Sequence, residues 1–205
     1  TENVFGGFAR IEDSAAQLSE FVDRVLAATG TDQVDILGHS EGTVVPNYYA
    51  KFLDGGPKID KYVSIAPLWR GTNAAGLNTL AVLGTPFGVT PLVFGALRPY
   101  FASGEQLLAS SDFIAMMRSG GTPIVDGITY TNIVTKYDEL VIPYTSGIEP
   151  GMTNLVVQKY CPLDLSEHFQ IVADPVAAAL VLNALDPENP RRVPCRLVLP
   201  FVGTL

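Results

Sequence analysis

The chain has 205 residues, of which 47% are hydrophobic and 17% are charged, and its formal net charge is −8. This length and composition predict one globular domain with a full hydrophobic core and exclude a disordered chain. No basic cluster occurs beyond Arg191-Arg192, so nucleic acid is not an expected partner, and neither is an anionic membrane bound by electrostatics. No apolar run reaches the roughly 18 residues of a membrane span, so no integral membrane segment is expected.

The first residues, Thr1 to Phe5, have neither the basic start nor the apolar core of a secretion signal. The chain also begins without an initiator methionine. We therefore expect a processed or truncated chain, in which a single domain over residues 1–205 is incomplete at its N-terminus.

The first predicted helix covers residues 13–29. Ser14 to Gln17 fits a capping box at its start, and Gly30 is placed to end it in a left-handed conformation. Its apolar residues fall on one face at helical spacing: Ala15, Leu18, Phe21, Val22, Val25 and Leu26.

The strongest motif follows that helix. Val34 to Leu37 is a short apolar run, typical of a strand covered on both faces, and residues 38–42 fit the pattern Gly-x-Ser-x-Gly. This pattern is typical of a nucleophile elbow, a sharp strand-to-helix turn that lifts the oxygen of Ser40 above the sheet. We expect no room for a Cβ atom at Gly38 or Gly42. An ordinary turn is the alternative, but the preceding strand and the following helix favour the elbow.

The remaining elements alternate in type. A helix is predicted from Thr43 to Leu53, with Pro46 in its first turn. Three more strands and a closing helix follow, the helix with an Asp174 N-cap and Pro175 in its first turn: residues 62–66, 129–135, 154–158 and 174–185. Alternating strands and helices predict an α/β fold with a mostly parallel sheet and helices on both faces.

Residues 84–120 are apolar and interrupted by glycines and prolines. This segment lies where the predicted fold commonly inserts a cap over the nucleophile, and we predict a mobile cap whose apolar underside lines an acyl pocket. The alternative is that these side chains simply complete the core.

A serine nucleophile needs a base, and the chain contains only two histidines. His39 adjoins Ser40 inside the elbow and should point away from it, so His168 is the candidate base. Asp138 is the candidate acid because it follows a predicted strand and the order Ser, acid, His is that of the fold. Other carboxylates in this half of the chain remain alternatives: Glu139, Asp164, Glu167 and Asp174.

An oxyanion hole needs two backbone donors. The amide of Glu41, directly after the nucleophile, is the expected first donor. The second usually comes from a loop upstream of anything in this sequence. The carboxylate of Glu41 should point out of the site, since its charge would oppose a forming oxyanion.

The two cysteines, Cys161 and Cys195, form either a disulfide or two reduced thiols. Both adjoin prolines in loop-like sequence, whereas buried free cysteines usually lie inside apolar elements. We therefore predict a disulfide and an oxidising compartment.

Five blocks of the sequence resemble the class 2 lipase family, the secreted actinobacterial lipases of the α/β-hydrolase fold. They cover nearly the whole chain: residues 14–30, 34–42, 46–53, 130–138 and 161–168. The resemblance implies that Ser40, Asp138 and His168 are nucleophile, acid and base. Family members also begin with a secretion signal and a His-Gly oxyanion loop, which are absent here. Residues 68–70 are less polar than in the family.

These features predict a secreted carboxylic-ester hydrolase, most of all a triacylglycerol lipase that works through an acyl-enzyme intermediate. Its partners would be an acyl ester or lipid substrate and, transiently, lipid surfaces, and no cofactor or metal is implied. One alternative is an esterase, acyltransferase or thioesterase with the same triad. Another is a binding protein that has lost catalysis.

Overall fold

The computed structural model describes residues 8–73 and 102–204. Its centre is a four-stranded sheet of order β1-β2-β3-β4, in which neighbouring strands are parallel. A separate antiparallel pair, β5 and β6, lies near the C-terminus. The strands are β1 (Val34–His39), β2 (Ile59–Ile65), β3 (Thr129–Val134), β4 (Thr153–Val156), β5 (Val198–Leu199) and β6 (Gly203–Thr204).

Six α-helices occur in the described part of the chain, together with short 3-10 turns, one of which, Ser40–Thr43, directly follows β1. Helices lie in the crossovers from β1 to β2 and from β2 to β3, and a 3-10 turn, Tyr144–Gly147, lies between β3 and β4. This arrangement confirms the predicted α/β class with a mostly parallel sheet. The helices are α1 (Ile11–Thr29), α2 (Val45–Phe52), α3 (Ala102–Gln106), α4 (Asp112–Met117), α5 (Val157–Tyr160) and α6 (Pro175–Leu185).

Two hydrophobic clusters cover the two faces of the sheet. Along β2, Tyr62 belongs to one cluster, with α1 residues such as Ala15, while its neighbour Val63 belongs to the other, with α6 residues such as Leu180. Successive residues of a strand point to opposite faces, so the two clusters lie on opposite sides of β2. Helices therefore flank the sheet on both sides, as predicted.

The start of α1 differs from the prediction. The helix begins at Ile11, and Ser14 is a buried residue inside it, so the predicted capping box is wrong. The free amide of Ile11 is bound by the side-chain oxygen of Gln106 in α3, at 2.9 Å. A cap from a residue 95 positions away leaves no local sequence signal. The predicted end is confirmed, because Gly30 has a φ of 71° and its amide bonds to the Leu26 carbonyl.

Two apolar residues predicted to be covered are exposed. Phe21 of α1 is 54% exposed, and Leu37 of β1 is 53% exposed. Among the described strands β1 pairs only with β2, and its Ile36 side packs against the core while its Leu37 side faces outward. The prediction of a strand covered on both faces is therefore wrong for β1 in the described residues.

The fourth strand is shorter than predicted, and the closing helix is as predicted. β4 ends at Val156, after which the chain turns directly into α5, so the predicted extension to Gln158 is wrong. The Gln158 side chain is used instead to bind the loops beside the site, at the Lys136 amide and the Asp164 carbonyl. α6 begins at Pro175 after the Asp174 N-cap, whose carboxylate accepts from two backbone amides.

The predicted cap over residues 84–120 falls partly outside the described residues, since 84–101 are not described. In the remainder, α4 and the residue directly after α3 present apolar side chains to the hydrophobic core rather than to a surface: Phe113, Ile114 and Met117, and Leu107. The cap itself stays a prediction.

The cysteines form the predicted disulfide. Cys161, which directly follows α5, is bonded to Cys195 near the C-terminus, and their Cα atoms are 4.9 Å apart. The bond ties the histidine-bearing half of the chain to its C-terminal segment. In residues 8–73 and 102–204, no helix has the length and apolarity needed to cross a membrane.

Candidate active site

Ser40 lies at the turn where β1 ends and the 3-10 turn begins. Its φ is 54°, a left-handed conformation that is strained for a residue with a side chain. A Cβ atom at Gly38 would lie 2.2 Å from the Gly42 carbonyl oxygen, so the prediction of no room is confirmed there. It is wrong for Gly42, where an added Cβ would meet nothing within 4 Å. Gly38 packs closely against the backbone carbonyl of Gly42, whereas the space next to the Gly42 Cα atom is open.

The three predicted residues come together at this turn. The Oγ atom of Ser40 lies 2.9 Å from Nε2 of His168. On the other side of the ring, Nδ1 lies 2.9 and 3.0 Å from the two carboxylate oxygens of Asp138. The side chains of His168 and Asp138 are each only 2% exposed. A buried carboxylate facing Nδ1 favours the tautomer in which Nε2 can accept the serine proton.

Asp138 follows β3 by four residues and is itself held in place. Its Oδ1 atom accepts hydrogen bonds from the amides of Leu140 and Val141, at 3.0 and 2.6 Å. These bonds fix the carboxylate in the loop that starts at the carboxyl end of β3. These two hydrogen bonds therefore orient the Asp138 carboxylate independently of its contact with His168.

The four alternative acids have other partners. Glu139 accepts the His168 backbone amide at 3.0 Å, and Glu167 accepts the Phe169 amide at 2.7 Å, so both carboxylates fix the histidine loop. Asp164 accepts the Ser166 amide at 2.9 Å, and Asp174 caps α6. Among the candidate acids, only Asp138 bonds the imidazole in the described residues.

Asp164, four residues before His168, and Asp174, the N-cap of α6, also form a buried pair. Each has one oxygen, Oδ2, that is buried without a hydrogen-bond partner. Burial and the neighbouring Asp164 side chain raise the pKa of Asp174 to about 7. Two buried carboxyl groups in contact hold a proton far more readily than one exposed group does.

His39 has a contact that the sequence reasoning did not find. Its Nε2 atom lies 2.9 Å from the backbone carbonyl oxygen of His168, and the two rings are 4.7 Å apart. A carbonyl oxygen only accepts, so Nε2 of His39 carries the proton. Burial lowers the pKa of His39, and His168 lowers it further. The only feature of the sequence that could have pointed to this contact is the position of His39 directly before Ser40.

An open cleft of about 940 Å³ reaches Ser40. One wall is the elbow and the start of α2, and the other is the side of α1 that carries the exposed Phe21. Its lining is mainly apolar, with a few polar groups from α1: Phe8, Leu18, Phe21, Val45 and Pro46, with Ser14, Gln17, Glu20 and Arg24. A cleft with this lining can hold an apolar chain beside the serine.

Glu41 lies next to Ser40 and lines the same cleft. Its carboxyl group turns towards α3, where Oε2 accepts a hydrogen bond from the Ser103 hydroxyl at 2.9 Å. Its other oxygen, Oε1, is buried without a hydrogen-bond partner. Burial raises the pKa of Glu41 to about 7, although the Ser103 hydrogen bond opposes the rise. An outward orientation would keep the negative charge of Glu41 away from the oxyanion, and a pKa raised by burial favours the neutral acid, which carries no such charge.

The family model described as Lipase (class 2) matches residues 11–181. That span is well over half of the chain and includes the turn at Ser40, the loop with Asp138 and the loop with His168. The chain belongs to the class 2 lipase family. This membership confirms the resemblance found in the sequence.

Solved structures agree with the fold of the class 2 lipase family. Aspergillus fumigatus lipase B matches with a TM-score of 0.67 and 18% identity over 91% of this chain and 44% of its own. The product of the gene lin2722 from Listeria innocua matches with a TM-score of 0.56 and 17% identity, over 92% and 72%. The mature lipase BlEst2 of Bacillus licheniformis matches with a TM-score of 0.53 and 12% identity, over 72% and 65%. These likenesses show the α/β-hydrolase fold, and the chain spans less than half the length of the Aspergillus lipase.

Of residues 68–70, which are less polar than in the family, the first two lie in the interior. Leu68 and Trp69 are buried, one in each hydrophobic cluster, and the Trp69 ring nitrogen donates to the Asn132 side chain at 2.9 Å. Arg70 is outside and pairs with Glu149 at 3.3 Å. Leu68 and Trp69 therefore belong to the core, and none of residues 68–70 lines the cleft at Ser40. The described part of the chain contains no group of three or more His, Cys, Asp or Glu side chains that could hold a metal ion.

Proposed function

We propose that this member of the class 2 lipase family hydrolyses carboxylic esters with Ser40 as nucleophile, His168 as base and Asp138 as the acid that orients the base. The observation that supports this most is the chain of contacts from Ser40 Oγ through the His168 ring to both oxygens of Asp138. The strained backbone at Ser40 is a second support, because strain of this kind is maintained at functional sites.

In the proposed reaction, Ser40 Oγ attacks the ester carbonyl carbon while its proton moves to Nε2 of His168. The tetrahedral intermediate collapses with loss of the alcohol, which takes that proton, and an acyl-enzyme remains on Ser40. Water then attacks the acyl group by the same route, releasing the acid and restoring the serine hydroxyl. The Glu41 amide is the proposed first donor to the oxyanion, and each such donor contributes roughly 10²–10³ to kcat.

We propose a lipid ester as the substrate, with triacylglycerol as the leading candidate. The apolar lining of the cleft at Ser40 supports this choice. An apolar site gains about 0.8 kcal/mol for each methylene group that it buries, so longer acyl chains are preferred until the cleft ends. Secretion is proposed on the basis of the Cys161–Cys195 disulfide, since disulfides persist in oxidising compartments.

The nucleophile is tested by fluorophosphonate labelling, which modifies an activated serine. The wild type should be labelled at Ser40, and Ser40→Ala should lose both labelling and ester hydrolysis, with a fall of about 10⁴–10⁶ in turnover. Ser119→Ala, which changes an exposed serine in another loop, is the matched control and should behave as the wild type. Wild-type protein that resists labelling would support a hydrolase-like binding protein.

The substrate class is tested with p-nitrophenyl esters of increasing acyl length. A lipase should be more active on medium or long chains than on acetate, and its activity should rise further above the solubility limit of the substrate. A maximum at acetate that falls with each added carbon would instead show a short-chain esterase.

A further inference from the structure

The residue that follows the proposed nucleophile is a carboxylic acid in an unusual setting. The amide of Glu41 is the proposed oxyanion donor, yet its side chain is half-buried in the same turn. One carboxyl oxygen accepts from Ser103, and the other is buried with no partner. In the described residues no lysine, arginine or histidine forms an ion pair with it.

This geometry disfavours a charged carboxylate. An ionised carboxylate with an unpartnered, buried oxygen loses hydration that nothing replaces, and this cost is far larger than for the neutral acid. The single Ser103 hydrogen bond offsets only part of it. The raised pKa of Glu41, about 7, is the consequence expected from this setting.

We infer that Glu41 sets the alkaline limit of ester hydrolysis, because its side chain must be neutral when the oxyanion forms beside Ser40. The inference rests on the proposed function of Ser40. When the carboxyl group ionises, its negative charge is on the residue next to Ser40, in a partly dehydrated turn that lines the same cleft as the Ser40 oxygen. Like charges at short range in such surroundings repel strongly, so the transition state is destabilised while the free enzyme is not.

Other charged groups near Glu41 do not replace it in this role. His39 and His168 flank the serine, and His168 must be unprotonated to act as base, which makes activity rise on the acid side. Glu20 and Arg24 of α1 line the same cleft as Glu41. Glu105 is on α3, the helix of Ser103, and Asp138 contacts the far side of the His168 ring. Glu20 and Arg24 have opposite charges and line the more open part of the cleft.

The test is the pH profile of kcat/KM from pH 5 to 9.5 for the wild type and Glu41→Gln. Glutamine has nearly the same shape and can still accept the Ser103 hydrogen bond, but it cannot ionise. Hydrolysis of p-nitrophenyl butyrate is followed at a wavelength where phenol and phenolate absorb equally. The wild type should rise with pH and then fall about tenfold for each pH unit above neutrality, and Glu41→Gln should rise in the same way without the fall. Glu188→Gln, which removes an exposed carboxylate after α6, is the control and should follow the wild type.

A Glu41→Gln profile that keeps the alkaline fall, or a wild-type profile without one, would overturn the inference while leaving the nucleophile intact. A wild type without hydrolysis at any pH would overturn the proposed function and the inference with it. Carbon-13 NMR of labelled glutamate carboxyl groups gives a second readout that needs no activity. The signal missing from Glu41→Gln should titrate near neutrality in the wild type, and titration in the ordinary glutamate range would contradict the inference.

Discussion

His168 is held by four different residues, two at its ring and two at its backbone. Its Nε2 faces Ser40, its Nδ1 faces Asp138, its amide donates to Glu139, and its carbonyl accepts from His39. The first two contacts belong to the proposed chemistry, and the last two fix the backbone that carries the ring. Positioning of this kind matters because a small displacement of a catalytic group can lower the rate strongly.

Replacing Asp138 with asparagine should lower turnover by about 10⁴, because an amide facing Nδ1 favours the wrong imidazole tautomer. The fold should be unaffected, since an asparagine oxygen can still accept the two loop amides. Steady-state kinetics with a p-nitrophenyl ester measures the loss. If Glu139→Gln or Asp164→Asn were damaging and Asp138→Asn silent, Asp138 would not be the acid.

Replacing His39 with phenylalanine should lower kcat by about five- to tenfold while KM changes little. The ring volume is retained, but the hydrogen bond to the His168 carbonyl, with a net contribution of about 1 kcal/mol, is lost. His39→Gln retains a donor and should lose less. A phenylalanine variant with the wild-type kcat would show that this hydrogen bond does not position the base.

At the scale of elements, β1 and α2 meet through the turn that contains Ser40. The two glycines of the motif differ in their surroundings, although the pattern treats them alike. Gly38 must approach the Gly42 backbone, whereas Gly42 is open on its Cα side.

Gly38→Ala should therefore destabilise the protein or abolish its folding, since a Cβ atom 2.2 Å from a backbone oxygen forces the elbow apart. Gly42→Ala is the matched control and should change stability by less than about 1 kcal/mol. Urea denaturation of both variants measures the difference. Equal stability of the two variants would contradict the structure of the turn.

Asp174, the N-cap of α6, forms a buried pair with Asp164. Because the pKa of Asp174 is raised from 3.8 to about 7, the folded protein keeps a proton that the unfolded chain releases in this range. The contribution of Asp174 to the free energy of unfolding is thus fully present below pH 3.8 and is lost as the pH rises to about 7.

Asp174→Asn should flatten the dependence of Tm on pH between 4 and 7, because asparagine is a good N-cap that does not ionise. A stability change on the order of 1 kcal/mol corresponds to roughly 2–4 °C in Tm for a chain of this size. Thermal melts across the range measure it. Asp186→Asn, at the exposed end of the same helix, is the control. Parallel curves for the wild type and Asp174→Asn would contradict the raised pKa of Asp174.

At the scale of the whole molecule, the disulfide joins Cys161, just before the histidine loop, to Cys195 in the C-terminal segment. The two residues are 34 positions apart, and the loop between them contains His168 and α6. The crosslink therefore restricts the unfolded state of the part of the chain that supplies the proposed base.

Replacing both cysteines with serine should lower the free energy of unfolding by about 3–4 kcal/mol, the value expected for closing a loop of this length. Urea denaturation of the double variant against the oxidised wild type measures the loss. Alkylation of the wild type under denaturing, non-reducing conditions should modify no thiol. Two modified cysteines would contradict the disulfide.

The sequence alone determined those features whose causes are local. The elbow around Ser40, the end of α1 at Gly30 and the start of α6 at Asp174 each depend on a few consecutive residues, and all were predicted. The α/β class followed from the alternation of helical and strand periodicity. With two histidines in the chain, one of them inside the elbow, the candidate base also followed without a structure.

Only the tertiary structure decided the features that join distant segments. The cap on Ile11 comes from Gln106, the raised pKa of Glu41 comes from burial, and His39 donates to a carbonyl oxygen 129 positions away. Burial was misjudged at Phe21 and Leu37 for the same reason, since the cover over a residue depends on which elements pack beside it. A residue pattern records which side chains can interact, but the distances, burial and protonation that decide their chemistry arise only when the chain folds.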